Sequence, residues 1–229
     1  MNDGEAMKLF FEIHSGNFQE GPGDSNSTRK AFQLISGLPE DASVLDAGCG
    51  PGRQTIDLCR LTRGTVTAVD NHQPYLEALH ERAKEAGLQE RIQVLEADMA
   101  ELPFEHGTFH LIWSEGAIYN IGFRNGLLLW RPLLKPGGWV AVTELTILRE
   151  DLPEEPASFW KEAYPAVQTT EQNLGDMADA GYIPAGHFTL PESAWWHYYH
   201  PIQRKLDRME KRHTGNTEAL KILAMERKE

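Results

Sequence analysis

Four short stretches hold the residues whose types and spacing could do chemistry. DAGCGPG (46–52) sets glycines 48, 50 and 52 directly behind an apolar run. Asp70 closes TVTAVD and Asp98 closes RIQVLEAD. WSEGAIY (113–119) sends the apolar run FHLI into a carboxylate, Glu115, and four residues later a phenol, Tyr119. A glycine loop lets backbone approach a ligand without side-chain interference. Glu115 and Tyr119 are candidates to take a proton from a nucleophile, and His14 is a third. His187, His197 and His200 are further candidates, although a single histidine is more often a surface or hydrogen-bonded structural residue.

The elements that must position these residues follow from hydrophobic patterning. Residues 43–48, 65–70, 91–98, 109–114 and 139–148 read as strands, and 53–61, 74–86 and 127–134 as helices, the last closed by the turn KPGG. Strands spaced by helices imply right-handed crossovers and a parallel sheet. The continuous apolar character of VLDA, TVTAV and VAV fits strands covered on both faces. The expected fold is therefore α/β: a Rossmann-like, doubly wound, mostly parallel sheet with helices on both faces. Such sheets bind ligands outside the carboxyl ends of their strands, which is where the glycine loop, both aspartates and the 114–119 corner fall.

Beyond residue 150 the pattern predicts a helical segment over 157–180, a strand at 186–190 (GHFTL), the aromatic stretch SAWWHYYHP and a helical end. Before the sheet, EGPGDSNSTRKAFQLI reads as a loop followed by a helix capped by Asp24 or Ser25. We expect a single domain over 1–229, with an N-terminal lid (1–42), a ligand-binding core (43–150) and C-terminal helices, strand and cap (151–229). SAWWHYYHP suits a packed cap core or an apolar substrate wall. Arg29 suits a lid residue reaching a carboxylate.

The glycine pattern is G-x-G-x-G. A dinucleotide fingerprint needs glycine at 53, where this chain has arginine, and that argues against a nicotinamide oxidoreductase. The acids instead suit an adenosine ligand. Asp70 can accept from both ribose hydroxyls, Asp98 with adjacent backbone can meet the adenine edge, and Met99 offers a soft apolar contact.

Composition narrows the partners. The formal charge of −12 over 229 residues disfavours non-specific nucleic-acid binding. No apolar run suggests a membrane span. Two cysteines, without metal-type spacing, fit a reducing cytoplasmic setting and imply no metal. The apolar and charged C-terminal region could pair with a second copy, giving a homodimer.

VLDAGCGPG, the acid of TAVD, EADMAELPFEHGTFHLIWS and LLKPGGWVAV, taken together and in order, resemble the class I S-adenosylmethionine-dependent methyltransferases, in particular their small-molecule, quinone-biosynthesis-like branch. The resemblance runs from Val44 to Val142. It implies a seven-stranded sheet with an antiparallel final hairpin and S-adenosyl-L-methionine as methyl donor, leaving S-adenosyl-L-homocysteine as product. By matching positions, Gly48 and Gly50 would pass under the methionine part and Asp70, with Asn71 beside it, would hold the ribose. Asp98 and Met99 would flank the adenine, and backbone near Ser114 would approach the sulfonium. Asp46 would orient the loop or reach the donor's amino group through water. One departure stands out: EALKILAMERKE looks helical where the family finishes with a strand.

The corner after the fourth strand bears on the acceptor. It lacks the double proline of enzymes that methylate nucleic-acid amino groups. It also lacks the second glutamate that protein-arginine enzymes place in the same loop. The expected activity is in-line methyl transfer to a small-molecule substrate, which is catalysis mostly by orientation. The alternatives are a non-catalytic donor-binding sensor or partner subunit, and a protein methyltransferase.

Overall fold

A computed structural model describes residues 3–149 and 151–227. Two helices come first, α1 (Asp3–His14) and α2 (Ser25–Phe32). Asp24 caps α2, its carboxylate accepting from the N–H groups of Asn26 and Ser27. The sheet region follows as β1 (Ser43–Ala47), α3 (Arg53–Leu61), β2 (Thr65–Asp70), α4 (Gln73–Glu85), β3 (Ile92–Glu96), β4 (Phe109–Ser114), α5 (Phe123–Trp130) and β5 (Leu134–Val142). Tight 3₁₀ turns at Ile118–Ile121 and Arg131–Leu133 flank α5. The remainder is β6 (Thr146–Ile147), α6 (Glu154–Ala163), β7 (Gln168–Thr169), α7 (Thr170–Asp179), α8 (Glu192–Arg212) and α9 (Thr217–Glu226).

The main sheet has the order β3-β2-β1-β4-β5, and every pairing in it is parallel. Strand order reverses between β1 and β4, so the crevice opens between their carboxyl ends. Consecutive β1 residues Val44 and Leu45 are both fully buried and point to opposite faces, each into its own core. Val44 packs with Leu58, Val66, Leu79 and Leu111, while Leu45 packs with Ile112, Ile118, Leu127 and Trp130. A third core lies apart from the sheet, where Leu9 and Ile13 of α1 meet Tyr198, Ile202 and Leu206 of α8 and Leu223 of α9. The N-terminal helix α1 is thereby fastened to α8 and α9 by apolar burial, each fully buried aliphatic contributing about 1.5–3 kcal/mol.

Several expectations change. The fifth strand begins at Leu134, taking in KPGG through a register shift against β4, and it ends at Val142. The helix foreseen over 127–134 runs instead over 123–130 and tightens into a 3₁₀ turn, because Pro132 cannot supply the N–H that would continue it. The helix foreseen over 157–180 is two helices, α6 and α7, separated by β7; Thr169 starts α7 with a reciprocal capping box to Gln172. Residues 186–190 form no strand. They line a groove of about 990 Å³ along the outer edge of β5, so they lack the adjacent backbone ladder a strand needs. Among the described residues the main sheet therefore has five strands, not the seven with an antiparallel hairpin that the resemblance implies. The end is helical as expected, its last two residues lying outside the described ones.

Candidate active site

The loop after β1 is held from beneath by β2. The N–H groups of Gly48 and Cys49 both donate to the Val69 carbonyl, at 2.8 and 2.9 Å. Gly48 sits at φ +72°, and a Cβ there would lie 2.3 Å from Ala117 Cβ and 2.9 Å from Met99 Cε. Only glycine lets the loop, the end of β3 and the corner after β4 close together here. Gly50 differs: a Cβ there would meet nothing within 4 Å, so its backbone faces open space.

Asp70 orders that loop. Its Oδ2 accepts from Gly50 N–H at 2.8 Å and its Oδ1 from His72 N–H at 3.0 Å, leaving lone pairs on both oxygens for further donors. Asn71 is exposed beside it. Asp98, one strand further along the same edge, is exposed and accepts from Ala100 N–H at 2.8 Å. Met99 is half-buried, its carbonyl fixed by Trp130 Nε1 at 2.9 Å. An open glycine loop flanked by two carboxylates can hold a ligand bearing hydroxyls and amino groups.

Asp46 lies deeper. It is fully buried, accepting from Thr55 Oγ1 at 2.5 Å and Gln54 Nε2 at 3.3 Å. Burial pushes its pKa up to about 7, against the pull of the Thr55 hydrogen bond. Its enclosure suits orienting the loop; nothing of its surface faces a ligand. Ser114 is also fully buried, and its Oγ has no partner among the described residues.

Glu115 is more constrained than its sequence position suggests. One oxygen accepts from Thr28 Oγ1 at 2.7 Å and Trp113 Nε1 at 2.8 Å; the other pairs with Arg53 Nη2. Arg53, the first residue of α3, also donates to Thr28 Oγ1 at 3.0 Å. Gly23 packs directly on this pair, since a Cβ there would lie 2.7 Å from Arg53 Nη2. The 21–23 loop, α2, the start of α3 and the corner after β4 thus converge on one buried ion pair. The 21–23 loop is further tied by Gln19 Nε2 to the carbonyls of Gly21 and Gly23, and by Gly23 N–H to Ala194.

Tyr119 is half exposed, its ring meeting Tyr164 edge-on at 6.0 Å. The Tyr164 hydroxyl in turn donates to Glu144, two residues beyond β5. His14 is buried between Glu20 (3.0 Å) and Glu226 (3.5 Å). Burial alone lowers its pKa, but the hydrogen bonds and charges of the two glutamates raise it to about 9. It is a cation at neutral pH, occupied in joining α1 to α9, and so poorly suited to accept a proton.

The remaining candidates stand elsewhere. His197 and His200 are exposed on α8, His200 stacked on Trp196, and His187 is exposed on the wall of the β5 groove. Arg29 is exposed and donates to Asn26; the arginine at the corner is Arg53. SAWWHYYHP divides: Tyr198 enters the cap core, Trp195 lines the groove and Trp196 faces outward. Sequence reasoning missed Thr28, Arg53 as a site residue, Glu144 and Tyr164. The available signal for Glu144 was a lone acid within the apolar run WVAVTELTIL.

A family model described as a methyltransferase domain matches residues 44–138. This segment of the chain is therefore similar to a methyltransferase domain. Over 130 residues the chain is 38% identical to a malonyl-[acyl-carrier protein] O-methyltransferase of Salmonella typhimurium, covering 56% of this chain and 48% of that protein. Over 122 residues it is 30% identical to the methyltransferase GfsG of Streptomyces halstedii, covering 52% of this chain and 44% of that one. The chain thus spans a little under half the length of these relatives. A SAM-dependent methyltransferase of Geobacter sulfurreducens, crystallised with S-adenosyl-L-homocysteine, superposes with a TM-score of 0.80 at 18% identity, covering 95% of this chain and 87% of that one. The likeness of fold therefore extends well beyond the matched segment, over 95% of the chain.

Proposed function

We propose that this protein transfers the methyl group of S-adenosylmethionine to a small-molecule acceptor. The observation that carries the reading is the succession of three strand ends: the Gly48–Gly50 loop after β1, Asp70 ending β2 and Asp98 after β3, in order along one edge. The open space over Gly50 and the spare lone pairs of Asp70 fit the donor's methionine and ribose parts. Asp98 with Met99 fits its adenine, and Asn71 stands beside the ribose position. Ser114 and its backbone neighbours fit the sulfonium end, with Asp46 holding the loop from inside.

When bound, this donor supplies an electrophilic methyl group. What is left to the chain is to hold the acceptor in line behind it and to exclude water, and effective molarities of about 10⁵–10⁸ M are available from orientation alone. Glu115 serves this purpose by fastening the lid to the corner through Arg53 and Thr28; its oxygens are already taken by donors. Tyr119 and Tyr164 form the wall facing the acceptor. A small molecule, not a macromolecule, fits the acidic chain and its covered site. Buried, unpaired Cys49 and Cys59 fit a reducing cytoplasm.

Isothermal titration with S-adenosylmethionine, S-adenosylhomocysteine, NAD and NADH tests the donor. Binding of the two adenosyl compounds alone is expected; binding of a nicotinamide compound instead would overturn the reading. Labelled-methyl transfer into a metabolite extract then separates an enzyme from a donor-binding sensor.

A further inference from the structure

Two residues past the end of β5, Glu144 lines the groove along that strand, as Glu115 does, without the donors that occupy Glu115. Its Oε2 is buried with no partner among the described residues, while the Tyr164 hydroxyl donates to the carboxylate from the end of α6. The residue before it joins it to the corner: Thr143 N–H donates to the Ser114 carbonyl at 3.0 Å, and Thr143 Oγ1 accepts from Gly116 N–H at 2.7 Å. Tyr164 meets Tyr119, which lies within electrostatic reach of Tyr75, itself influenced by Asp70. Tyr164 is thus the phenol that joins Glu144 to the Tyr119 side of the corner.

A buried acceptor oxygen left unpaired is costly, about 1–3 kcal/mol, and marks a place where a donor is expected to arrive. Glu115, across the corner, is neutralised by Arg53, so the approach to Glu144 carries no second free carboxylate from that side. Tyr164 hydrogen-bonds Glu144, and among the described residues no cation pairs with that carboxylate.

Resting on the methyltransferase reading, we propose that Glu144 is the general base and that the acceptor is a hydroxyl compound, whose O–H donates to the unpaired Glu144 oxygen. In the step, the acceptor oxygen forms a bond to the methyl carbon as its O–H proton passes to Glu144. The methyl carbon–sulfur bond breaks with its electron pair staying on sulfur, and the former sulfonium becomes a neutral thioether. Burial supports the assignment, pushing the Glu144 pKa up to about 7 against the lowering effect of the Tyr164 hydrogen bond, so the carboxylate is basic enough to accept and ionised often enough to act. Tyr164 is then a positioning residue that also holds the base's pKa in range.

The test compares the wild type, Glu144→Gln and Tyr164→Phe on two probes, phenol and 4-nitrophenol, with methyl-labelled donor. Phenol needs a base at neutral pH; 4-nitrophenol is largely ionised just above it. Glu144→Gln is expected to lower turnover of phenol by about 10²–10⁴-fold, to affect 4-nitrophenol far less and to leave donor affinity by titration unchanged. The wild-type rate with phenol should rise with pH through about 7; Glu144→Gln should abolish that limb, and Tyr164→Phe should move it to higher pH. Equal losses on both probes, or a limb that survives in Glu144→Gln, would overturn the proposal. So would a Glu144 carboxyl that fails to titrate near 7 in the wild type by ¹³C NMR. Donor binding without methylation of either probe would sink the hydroxyl-acceptor assignment alone, whereas absent donor binding would sink the methyltransferase reading beneath it.

Discussion

Arg53 and Glu115, 62 residues apart in sequence, form an ion pair in which the two side chains are 5% and 7% exposed. The pair sits where the 21–23 loop, α2, α3 and the corner after β4 meet. Removing one member of a buried pair leaves an uncompensated charge, at a cost of about 3–5 kcal/mol. Glu115→Gln keeps an oxygen for Trp113 and Thr28 but strands the Arg53 guanidinium. Denaturant unfolding should therefore show a loss of about 3 kcal/mol, and pairing Glu115→Gln with Arg53→Met should recover part of it. If Glu115→Gln instead keeps its stability and loses turnover, Glu115 is a proton acceptor after all.

Gly48 and Gly50 look equivalent in G-x-G-x-G, yet they should respond differently to alanine. At both positions a side chain in the left-handed region costs about 1–2 kcal/mol. At Gly48 the new methyl also overlaps Ala117 and Met99, so Gly48→Ala should destabilise well beyond that figure. At Gly50 the methyl projects into open space where the donor's methionine part is proposed to lie. Gly50→Ala should lose donor affinity by titration while its melting temperature falls only modestly.

The contrast between these glycines shows what the sequence could carry. Local signals sufficed for the first four strands, for narrowing the α2 cap to Asp24 or Ser25 and for the succession of strand-end acids, because each is written within a few neighbouring residues. The buried clasp was not legible, since Thr28, Arg53 and Glu115 come from distant segments and only the closed fold brings them together. Arg53 was visible only as a missing glycine. His14 looked like a possible base until its two glutamates, one of them 212 positions away, were seen around it. The strand expected at 186–190 has the right composition, but a strand also needs an edge beside it, and patterning cannot supply that.

Asp70 carries two duties, ordering Gly50 and receiving hydroxyls from the donor. Asn at this position offers one acceptor oxygen and no charge, so one backbone N–H and the charge-assisted ribose bonds all suffer. Such bonds contribute about 1.5–3 kcal/mol each. Asp70→Asn should weaken binding of S-adenosylmethionine by about 10–100-fold. Asp98→Asn should have a smaller effect, because exposed Asp98 shares its proposed task with neighbouring backbone. Equal, slight effects at both positions would argue that the donor lies elsewhere.

His14 makes stability depend on pH in a definite direction. Its pKa is about 9 in the folded chain against 6.5 for an unperturbed imidazole, so the folded state holds the proton more tightly. The contribution is fully present below pH 6.5 and is lost as pH rises through 9, amounting to about 3 kcal/mol at 1.36 kcal/mol per unit. What weakens is the junction of α1 with α9, so α1 should loosen first. Hydrogen exchange across 9–14 should accelerate between pH 7 and 9.5 beyond the intrinsic base-catalysed rate. His14→Gln should be less stable than the wild type at pH 6 and nearly equal to it at pH 9.5, where the imidazole has lost most of its charge. A stability difference that stays constant across that interval would mean His14 acts by packing against Phe10, with no contribution from its charge.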